Sequence, residues 1–215
     1  MPQILAFGDS ITDGFYDNEG GWASRMQRFF MAANVEGGAI KDKIDWFYNL
    51  GINGDTAKDV LRRIEVESEA RKINRPDKAS IVIFAIGIND SACEGGSSDA
   101  RFTPEEFAAN LGKLAGIIKQ HTDKIIFVGL TPVVEQYTQP IYKTSWYDNY
   151  RIGLFDEAVR KVAREKNAIF IDIFRTMQEQ TDWKNYFIDG LHPNTTGHKW
   201  MYERIKPEIL KILNT

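Results

Sequence analysis

The chain alternates short apolar runs with longer amphipathic segments, and this alternation constrains its fold more than any other feature. The apolar runs, which predict strands, cover residues 3–7, 45–50, 80–86, 124–130 and 168–173. Most of them are continuously apolar, as strands buried on both faces must be. The amphipathic segments, which predict helices, cover residues 21–33, 56–73, 103–121, 150–166 and 195–213.

Strands that alternate with helices form a parallel sheet covered by helices on both faces. The third helix has the clearest start, because Thr103 can cap it, Pro104 stands in its first turn and Glu106 follows three residues after the cap. A length of 215 residues, 43% of them hydrophobic, suits one core, and we find no repeat or linker. We therefore predict one α/β domain over residues 1–215, a three-layer α/β/α sandwich around a parallel five-stranded sheet.

Composition excludes several classes of function. A net charge of −3 without a basic cluster argues against nucleic acid as a partner. Cys93 is the single cysteine, so the chain has no internal disulfide and no cysteine and histidine set with zinc spacing. No glycine-rich stretch fits a P-loop or dinucleotide fingerprint.

Neither a basic leader nor a long apolar span precedes the first turn. We therefore expect a cytoplasmic protein with no stable membrane insertion, although secretion with a removed leader stays open. The sequence also leaves open whether the chain forms homo-oligomers.

Three predicted strands end in polar turns that contain glycine. These turns cover residues 8–10, 51–56 and 87–90. In open α/β sheets, ligands bind outside the carboxyl ends of the strands. The three turns should therefore open onto one crevice, and the segment 189–192, after the fifth strand, can close over the same edge.

Ser10 lies directly after the first strand, and Asp189 stands three residues before His192 near the other end of the chain. A serine hydroxyl is a poor nucleophile until a base takes its proton, and an imidazole does this best when a carboxylate fixes its tautomer. These three residues therefore predict nucleophilic catalysis.

Four short blocks occur in order along the chain. They read Gly8-Asp9-Ser10-Ile11, Gly54, Gly87-x-Asn89-Asp90 and Asp189-x-x-His192. Together they resemble the signature blocks of the SGNH hydrolases, also called the GDSL esterase/lipase superfamily, and the resemblance covers essentially the whole domain. The single departure is Ile11, which stands where that family has leucine and preserves the apolar volume.

The resemblance implies a flavodoxin-like three-layer fold and serine hydrolysis of esters or thioesters with no cofactor, and we expect no metal site either. It implies that Ser10 is the nucleophile, His192 the base and Asp189 its orienting acid. It further implies an oxyanion hole formed by the amides of Ser10 and Gly54 and by the side chain of Asn89.

The connection 131–150 is long and rich in aromatic residues, and it leaves the ligand-binding edge of the sheet. Its residues Tyr137, Tyr142 and Trp146 are candidates for substrate contact, as part of a lid or an acyl-pocket wall. The alternative is that these rings only pack the loop or form a subunit contact.

Two further candidates for substrate contact lie near the first block. Trp22 either walls the site or anchors its helix, and Asp9 is expected mainly to hold its turn. We expect Asp90 to be structural as well. His198, six residues after the predicted base, is expected at the surface and away from the crevice.

The sequence thus predicts a small serine esterase that hydrolyses carboxylic esters of short acyl groups through an acyl-enzyme. A carbohydrate O-acetylesterase, which needs a polar groove with an aromatic floor, remains an alternative. A thioesterase or lysophospholipase, which needs a long apolar channel, is another. A non-catalytic flavodoxin-like binding module is the alternative of a different class, and it leaves the Asp189-x-x-His192 motif unexplained.

Overall fold

The computed structural model describes residues 3–36, 39–40, 45–71, 73, 80–96 and 100–213. The main sheet consists of β1 (Gln3–Gly8), β4 (Trp46–Gly51), β5 (Ile81–Ala85), β7 (Ile125–Val128) and β9 (Ile169–Ile171). Two small antiparallel pairs accompany it, β2 (Val35–Glu36) with β3 (Ala39–Ile40) and β6 (Cys93–Glu94) with β8 (Ser145–Trp146). The five predicted strands are all present, whereas the two small pairs were not predicted.

The five long helices begin and end within three residues of their predicted bounds. They are α2 (Gly21–Ala33), α3 (Ala57–Ala70), α4 (Pro104–Ile118), α6 (Asn149–Glu165) and α8 (Thr195–Leu213). The short helices are α1 (Ser10–Asp13), α5 (Glu135–Thr138) and α7 (Phe174–Gln178), and a 3₁₀ turn covers Trp183–Tyr186. Lys72, inside the predicted range 56–73, lies outside the described residues. The predicted start of α4 is confirmed, because Thr103 and Glu106 form a capping box.

The sheet has the strand order β4-β1-β5-β7-β9, and every neighbouring pair is parallel. This is the flavodoxin-like order, so the predicted fold class is confirmed. Connections between parallel strands of one sheet are right-handed. The connection through α2 runs toward the β4 edge, whereas those through α3, α4 and α6 run toward the β9 edge. The helix α2 therefore covers one face of the sheet, and α3, α4 and α6 cover the other. Accordingly α2 packs against α8, while α4 packs against both α3 and α6.

Aromatic side chains from the central strands form the middle of the core. The ring of Phe84 on β5 lies 6.1 Å from that of Phe7 on β1 and 5.3 Å from that of Phe127 on β7. The indole of Trp22 on α2 is fully buried and packs edge to face against Phe47, with the ring centroids 6.3 Å apart. The prediction that Trp22 contacts substrate is therefore wrong: its ring belongs to the core between α2 and the sheet, so it anchors its helix.

The carboxyl end of β1 approaches its neighbours so closely that only glycine fits there. A Cβ atom on Gly8 would lie 2.0 Å from the Thr12 hydroxyl and 2.5 Å from the Ala85 carbonyl oxygen. The turn after β1 therefore lies tightly against the end of β5, which brings the first and third polar turns to the same edge of the sheet. Among the helices of the described chain, none is long and apolar enough to cross a membrane.

Candidate active site

Ser10 is the first residue of α1, directly after the turn that ends β1. The cap of this helix is Asp9, whose carboxylate accepts a hydrogen bond from the Ile11 N–H at 2.9 Å. Because Asp9 caps the helix, the Ser10 hydroxyl is available for another partner. Its Oγ lies 2.9 Å from Nε2 of His192, 182 residues away in the sequence.

The other ring nitrogen of His192 faces Asp189, with 2.8 Å between Nδ1 and Oδ2. The second carboxylate oxygen, Oδ1, accepts the backbone N–H groups of Leu191 at 2.9 Å and of His192 at 2.7 Å. Burial alone would raise the pKa of Asp189, but hydrogen bonds from the ring and the backbone of His192 hold that pKa well below its ordinary value. Asp189 is therefore a carboxylate that both folds its own loop and orients the imidazole.

The three side chains form a continuous hydrogen-bonded chain from Ser10 to Asp189. An ionised carboxylate can only accept, so Nδ1 of His192 carries the proton and Nε2 presents its lone pair to the serine hydroxyl. In this tautomer the imidazole can take the Ser10 proton. The residues that the sequence singled out thus meet in the geometry that nucleophilic activation of a serine requires.

The three predicted donors for an oxyanion line the same cleft as Ser10 and His192. Ser10 stands at the first position of α1, where a backbone N–H has no acceptor within its own helix. Gly54 has a φ of 84°, and a Cβ atom there would meet nothing within 4 Å. Glycine is therefore favoured at this position by the left-handed backbone conformation and not by a lack of space. Asn89 is almost fully buried beside them.

The amide of Asn89 is held at both ends. Its Nδ2 donates to the Asp55 carbonyl oxygen at 3.0 Å, and its Oδ1 accepts from the Tyr147 hydroxyl at 3.3 Å. An amide nitrogen carries two hydrogens, so one N–H of Asn89 remains for a ligand. The bond to Asp55 also ties Asn89 to the loop that carries Gly54.

Two buried carboxyls hold the turns around the site. The Asp90 carboxylate accepts the Ala57 N–H at 3.0 Å, so it fixes the start of α3 against the turn after β5. Burial raises the pKa of both Asp9 and Asp90 to about 7. Asp9 does not line the cleft around Ser10, so its observed role is to cap α1 rather than to contact a ligand there.

The cleft that opens over Ser10 has a volume of about 430 Å³. Four aromatic rings and one leucine form much of its wall; these residues are Phe15, Tyr16, Tyr142, Tyr147 and Leu191. Such a cleft offers an apolar surface for a small organic group next to a few polar groups that fix its orientation.

Three residues of the connection 131–150 were predicted to contact substrate, and one of them lines the cleft. This residue is Tyr142. Tyr137 is 59% exposed and does not line it, and neither does the part-buried Trp146. Tyr147, the residue after β8, takes the place expected for Trp146. Side chains alternate along extended chain, so Ser145 and Tyr147 line the cleft while Trp146 between them does not.

Arg101 also lines the cleft, although no motif in the sequence points to it. Its guanidinium donates to the Asn89 carbonyl oxygen at 3.3 Å and forms an ion pair with Glu94. By sequence alone Arg101 is one charged residue among many, since both contacts depend on segments that only the fold brings near it.

His198 occupies a different place from the predicted one. It is fully buried on α8, and burial lowers the pKa of its imidazole to about 4. The prediction of a surface position is wrong because the first turns of α8 pack against α2, where a Cβ atom on Gly21 would lie 3.4 Å from the His198 ring. His198 is therefore a neutral core residue, and it does not line the cleft.

No group of three or more histidine, cysteine, aspartate and glutamate side chains in the described ranges is arranged to hold a metal ion.

Comparison with known proteins relates the chain to ester hydrolases. Residues 6–200 match the profile of the GDSL-like Lipase/Acylhydrolase family. The isoamyl acetate-hydrolyzing esterase 1 homolog of Homo sapiens is 28% identical, over 98% of this chain and 82% of that protein. The GDSL esterase/lipase CPRD49 of Arabidopsis thaliana is 27% identical, over 99% of this chain and 78% of that protein.

Solved structures show the same fold. The lipase/acylhydrolase from Enterococcus faecalis superimposes with a TM-score of 0.71 and 25% identity, over 97% of this chain and 95% of that one. The acetylxylan esterase Axe2 from Geobacillus stearothermophilus superimposes with a TM-score of 0.69 at 22% identity, over 96% of this chain and 93% of that one.

Proposed function

The chain belongs to the GDSL-like lipase/acylhydrolase family and hydrolyses ester bonds, and from this premise we propose that it is a serine esterase for carboxylic esters with short acyl groups. One observation carries the proposal. Ser10 Oγ, the His192 imidazole and the Asp189 carboxylate form a chain of hydrogen bonds of 2.9 and 2.8 Å that ends in the cleft.

In the first half of the reaction, Nε2 of His192 takes the proton of the Ser10 hydroxyl while Oγ attacks the carbonyl carbon of the ester. The resulting imidazolium is stabilised by Asp189, and the tetrahedral oxyanion accepts hydrogen bonds from the Ser10 and Gly54 N–H groups and from Asn89. The intermediate then collapses, the C–O bond to the alcohol breaks, and the alcohol leaves with the proton from His192. An acyl group remains on Ser10.

In the second half, a water molecule gives a proton to His192 and attacks the acyl carbonyl carbon. The second tetrahedral intermediate uses the same donors. It collapses to the free carboxylic acid and Ser10 Oγ, which recovers its proton from His192. The cycle consumes one ester and one water, and needs no further reactant.

The dimensions of the cleft support short acyl groups. Its volume of about 430 Å³ is at the lower end of the range for small-molecule sites, and it must hold both the acyl and the alcohol parts of the ester. Its aromatic walls suit apolar groups. One relative is named for hydrolysis of isoamyl acetate, an ester of a short acyl group and a small apolar alcohol, which supports the same class.

Two assays test the proposal. A fluorophosphonate probe should label the wild-type protein at Ser10, and the site can be located by peptide mass spectrometry. A series of p-nitrophenyl acetate, butyrate, octanoate and laurate should show kcat/KM highest for acetate or butyrate and at least about 10-fold lower for laurate, because the long chain extends beyond the walled cleft.

Each alternative gives a different result in the same assays. Laurate or a long-chain thioester as the best substrate would favour a thioesterase or lysophospholipase. An acetylated oligosaccharide hydrolysed much faster than p-nitrophenyl acetate would favour a carbohydrate O-acetylesterase. Absence of covalent labelling would contradict the serine mechanism altogether.

The assignment of Asn89 to the oxyanion hole yields a separate prediction. Asn89→Ala should lower kcat by about 10²- to 10³-fold and change KM little, because the lost donor acts where negative charge develops in the transition state. Steady-state kinetics on p-nitrophenyl acetate measure both values.

Asn89→Asp is the matched comparison, since it keeps the side-chain volume but replaces the donor with a carboxylate oxygen. We expect a loss at least as large as for alanine. If aspartate instead restored activity, or if Asn89→Ala raised only KM, Asn89 would be filling space or binding the ground state.

A further inference from the structure

The hydroxyl of Tyr142 contacts the acid of the proposed triad. It donates a hydrogen bond to Oδ2 of Asp189 at 2.8 Å and lies 3.4 Å from Nδ1 of His192. Oδ2 is the same oxygen that faces Nδ1 of His192 at 2.8 Å. Two donors from different parts of the chain therefore share one carboxylate oxygen.

With Tyr142 in place, the carboxylate of Asp189 has a donor for each of its lone pairs. Oδ1 accepts two backbone N–H groups of its own loop, and Oδ2 accepts from His192 and Tyr142. The bonds to Oδ1 come from residues 191 and 192, whereas Tyr142 reaches Oδ2 from a separate segment. Tyr142 thus restrains the oxygen that orients the imidazole.

The backbone around Tyr142 is built to hold the ring in this place. Ile141 and Ser145 exchange two backbone hydrogen bonds of 2.8 and 3.1 Å, and β8 then pairs with β6. Within this hairpin, Tyr142 and Lys143 have φ values of 52° and 71°. Bulky residues rarely adopt the left-handed region, and such outliers persist only where the surrounding structure enforces them.

The environment keeps the Tyr142 hydroxyl protonated. Tyr142 as a whole is 55% exposed, but partial burial of its hydroxyl in the first place, and the adjacent Asp189 carboxylate in the second, raise its pKa above the ordinary value. Near neutral pH the phenol is therefore protonated and can donate to the carboxylate. The hydrogen bond from Tyr142 also lowers the pKa of Asp189, against the effect of burial.

We propose that Tyr142 is a positioning residue of the catalytic site, which acts through Asp189 to fix the imidazole of His192. The proposal rests on the proposed function, since it concerns the same triad. Loss of the hydroxyl leaves Oδ2 of Asp189 with one donor instead of two. The carboxylate, and the imidazole that it orients, are then held less firmly.

Other groups also face His192 and must stay constant in a test. The rings of Phe15 and Tyr16 stand edge-on to the imidazole, with centroids 5.2 and 5.6 Å away. Ser10 contacts Nε2, and the buried His198 approaches from α8 closely enough to interact electrostatically. Tyr142→Phe keeps all of these residues and the ring that lines the cleft, and besides the bond to Asp189 it removes the contact of the Tyr142 hydroxyl with Tyr16.

In Tyr142→Phe, we expect kcat to fall roughly 3- to 10-fold with KM unchanged within about twofold. The acid limb of the pH profile of kcat/KM should move to higher pH, because Asp189 loses one of the hydrogen bonds that lower its pKa. Tyr150→Phe is the matched control, because this tyrosine on the same connection is 80% exposed and does not line the cleft.

A measurement without substrate separates this proposal from the esterase proposal. The ¹⁵N chemical shift of Nδ1 in the His192 ring should change in Tyr142→Phe and stay unchanged in Tyr150→Phe, because Tyr142 contacts the oxygen that faces Nδ1. That result would support the positioning role even if the protein hydrolysed no ester. Unchanged ring shifts in Tyr142→Phe, or a rise in KM alone, would show that Tyr142 is only a wall of the cleft.

Discussion

Replacement of Ser10 by alanine is expected to lower kcat for ester hydrolysis by about 10⁴- to 10⁶-fold, because it removes the hydroxyl that Nε2 of His192 activates. The fold should survive the change. The helix cap is made by Asp9, and the backbone carbonyl of Ser10, which accepts the N–H groups of Gly14 and Phe15, is kept in alanine.

Steady-state kinetics on p-nitrophenyl acetate measure this loss, and circular dichroism with thermal unfolding verifies the fold. Fluorophosphonate labelling should disappear as well. The double variant Ser10→Ala/His192→Ala serves as a control: its rate should lie within about threefold of Ser10→Ala alone, since residues that act as one unit are not additive. A residual rate above about 1% of wild type would contradict the assignment of Ser10 as nucleophile.

Asp189→Asn has the second largest expected effect, a fall in kcat of about 10³- to 10⁴-fold. The Leu191 and His192 N–H groups need an acceptor where Oδ1 now stands, so the amide oxygen of asparagine should take that position. The amide nitrogen then faces Nδ1 of His192 and donates to it. This places the imidazole proton on Nε2, where it blocks acceptance of the Ser10 proton.

The tautomer itself can be measured, because ¹⁵N chemical shifts of the His192 ring distinguish a protonated Nε2 from a protonated Nδ1. We expect the two nitrogens to exchange roles in Asp189→Asn while the fold is kept. Asp182→Asn is the control, because this exposed residue makes no side-chain cap at the nearby 3₁₀ turn. Near wild-type kcat in Asp189→Asn would mean that the imidazole does not depend on this carboxylate for its orientation.

The positions of the main strands and helices could be predicted because each follows from a local pattern. A strand of a parallel sheet is covered on both faces, so β1, β5 and β7 read as unbroken apolar runs. The start of α4 could be predicted for a similar reason, since its capping box lies within four consecutive residues.

The meeting of Ser10 with Asp189 and His192 could also be anticipated from the motifs. All parallel strands end at one edge of the sheet, so polar turns that follow strands converge there whatever their separation in sequence. The order of the motifs identified Asp189 and His192 as the partners of Ser10, and in the structure the three side chains lie within hydrogen-bonding distance.

The orientation of individual side chains around this edge could not be predicted in the same way. Trp22 packs into the core, His198 is buried under α2, and Tyr147 rather than Trp146 lines the cleft. The orientation of each side chain depends on which other segment packs against it. The local sequence pattern around the residue does not indicate which segment that is.

By itself, therefore, the sequence determined the order of strands and helices, the fold class and the residues from which the candidate triad is made, because burial and motif chemistry act over short stretches of chain. Only the tertiary structure decided the walls of the cleft and the contact between Tyr142 and Asp189. That contact requires β8 to pair with β6, about 50 residues earlier in the chain, and the hairpin before β8 to turn Tyr142 toward Asp189. Pairing between such distant segments is set by the packing of the whole chain.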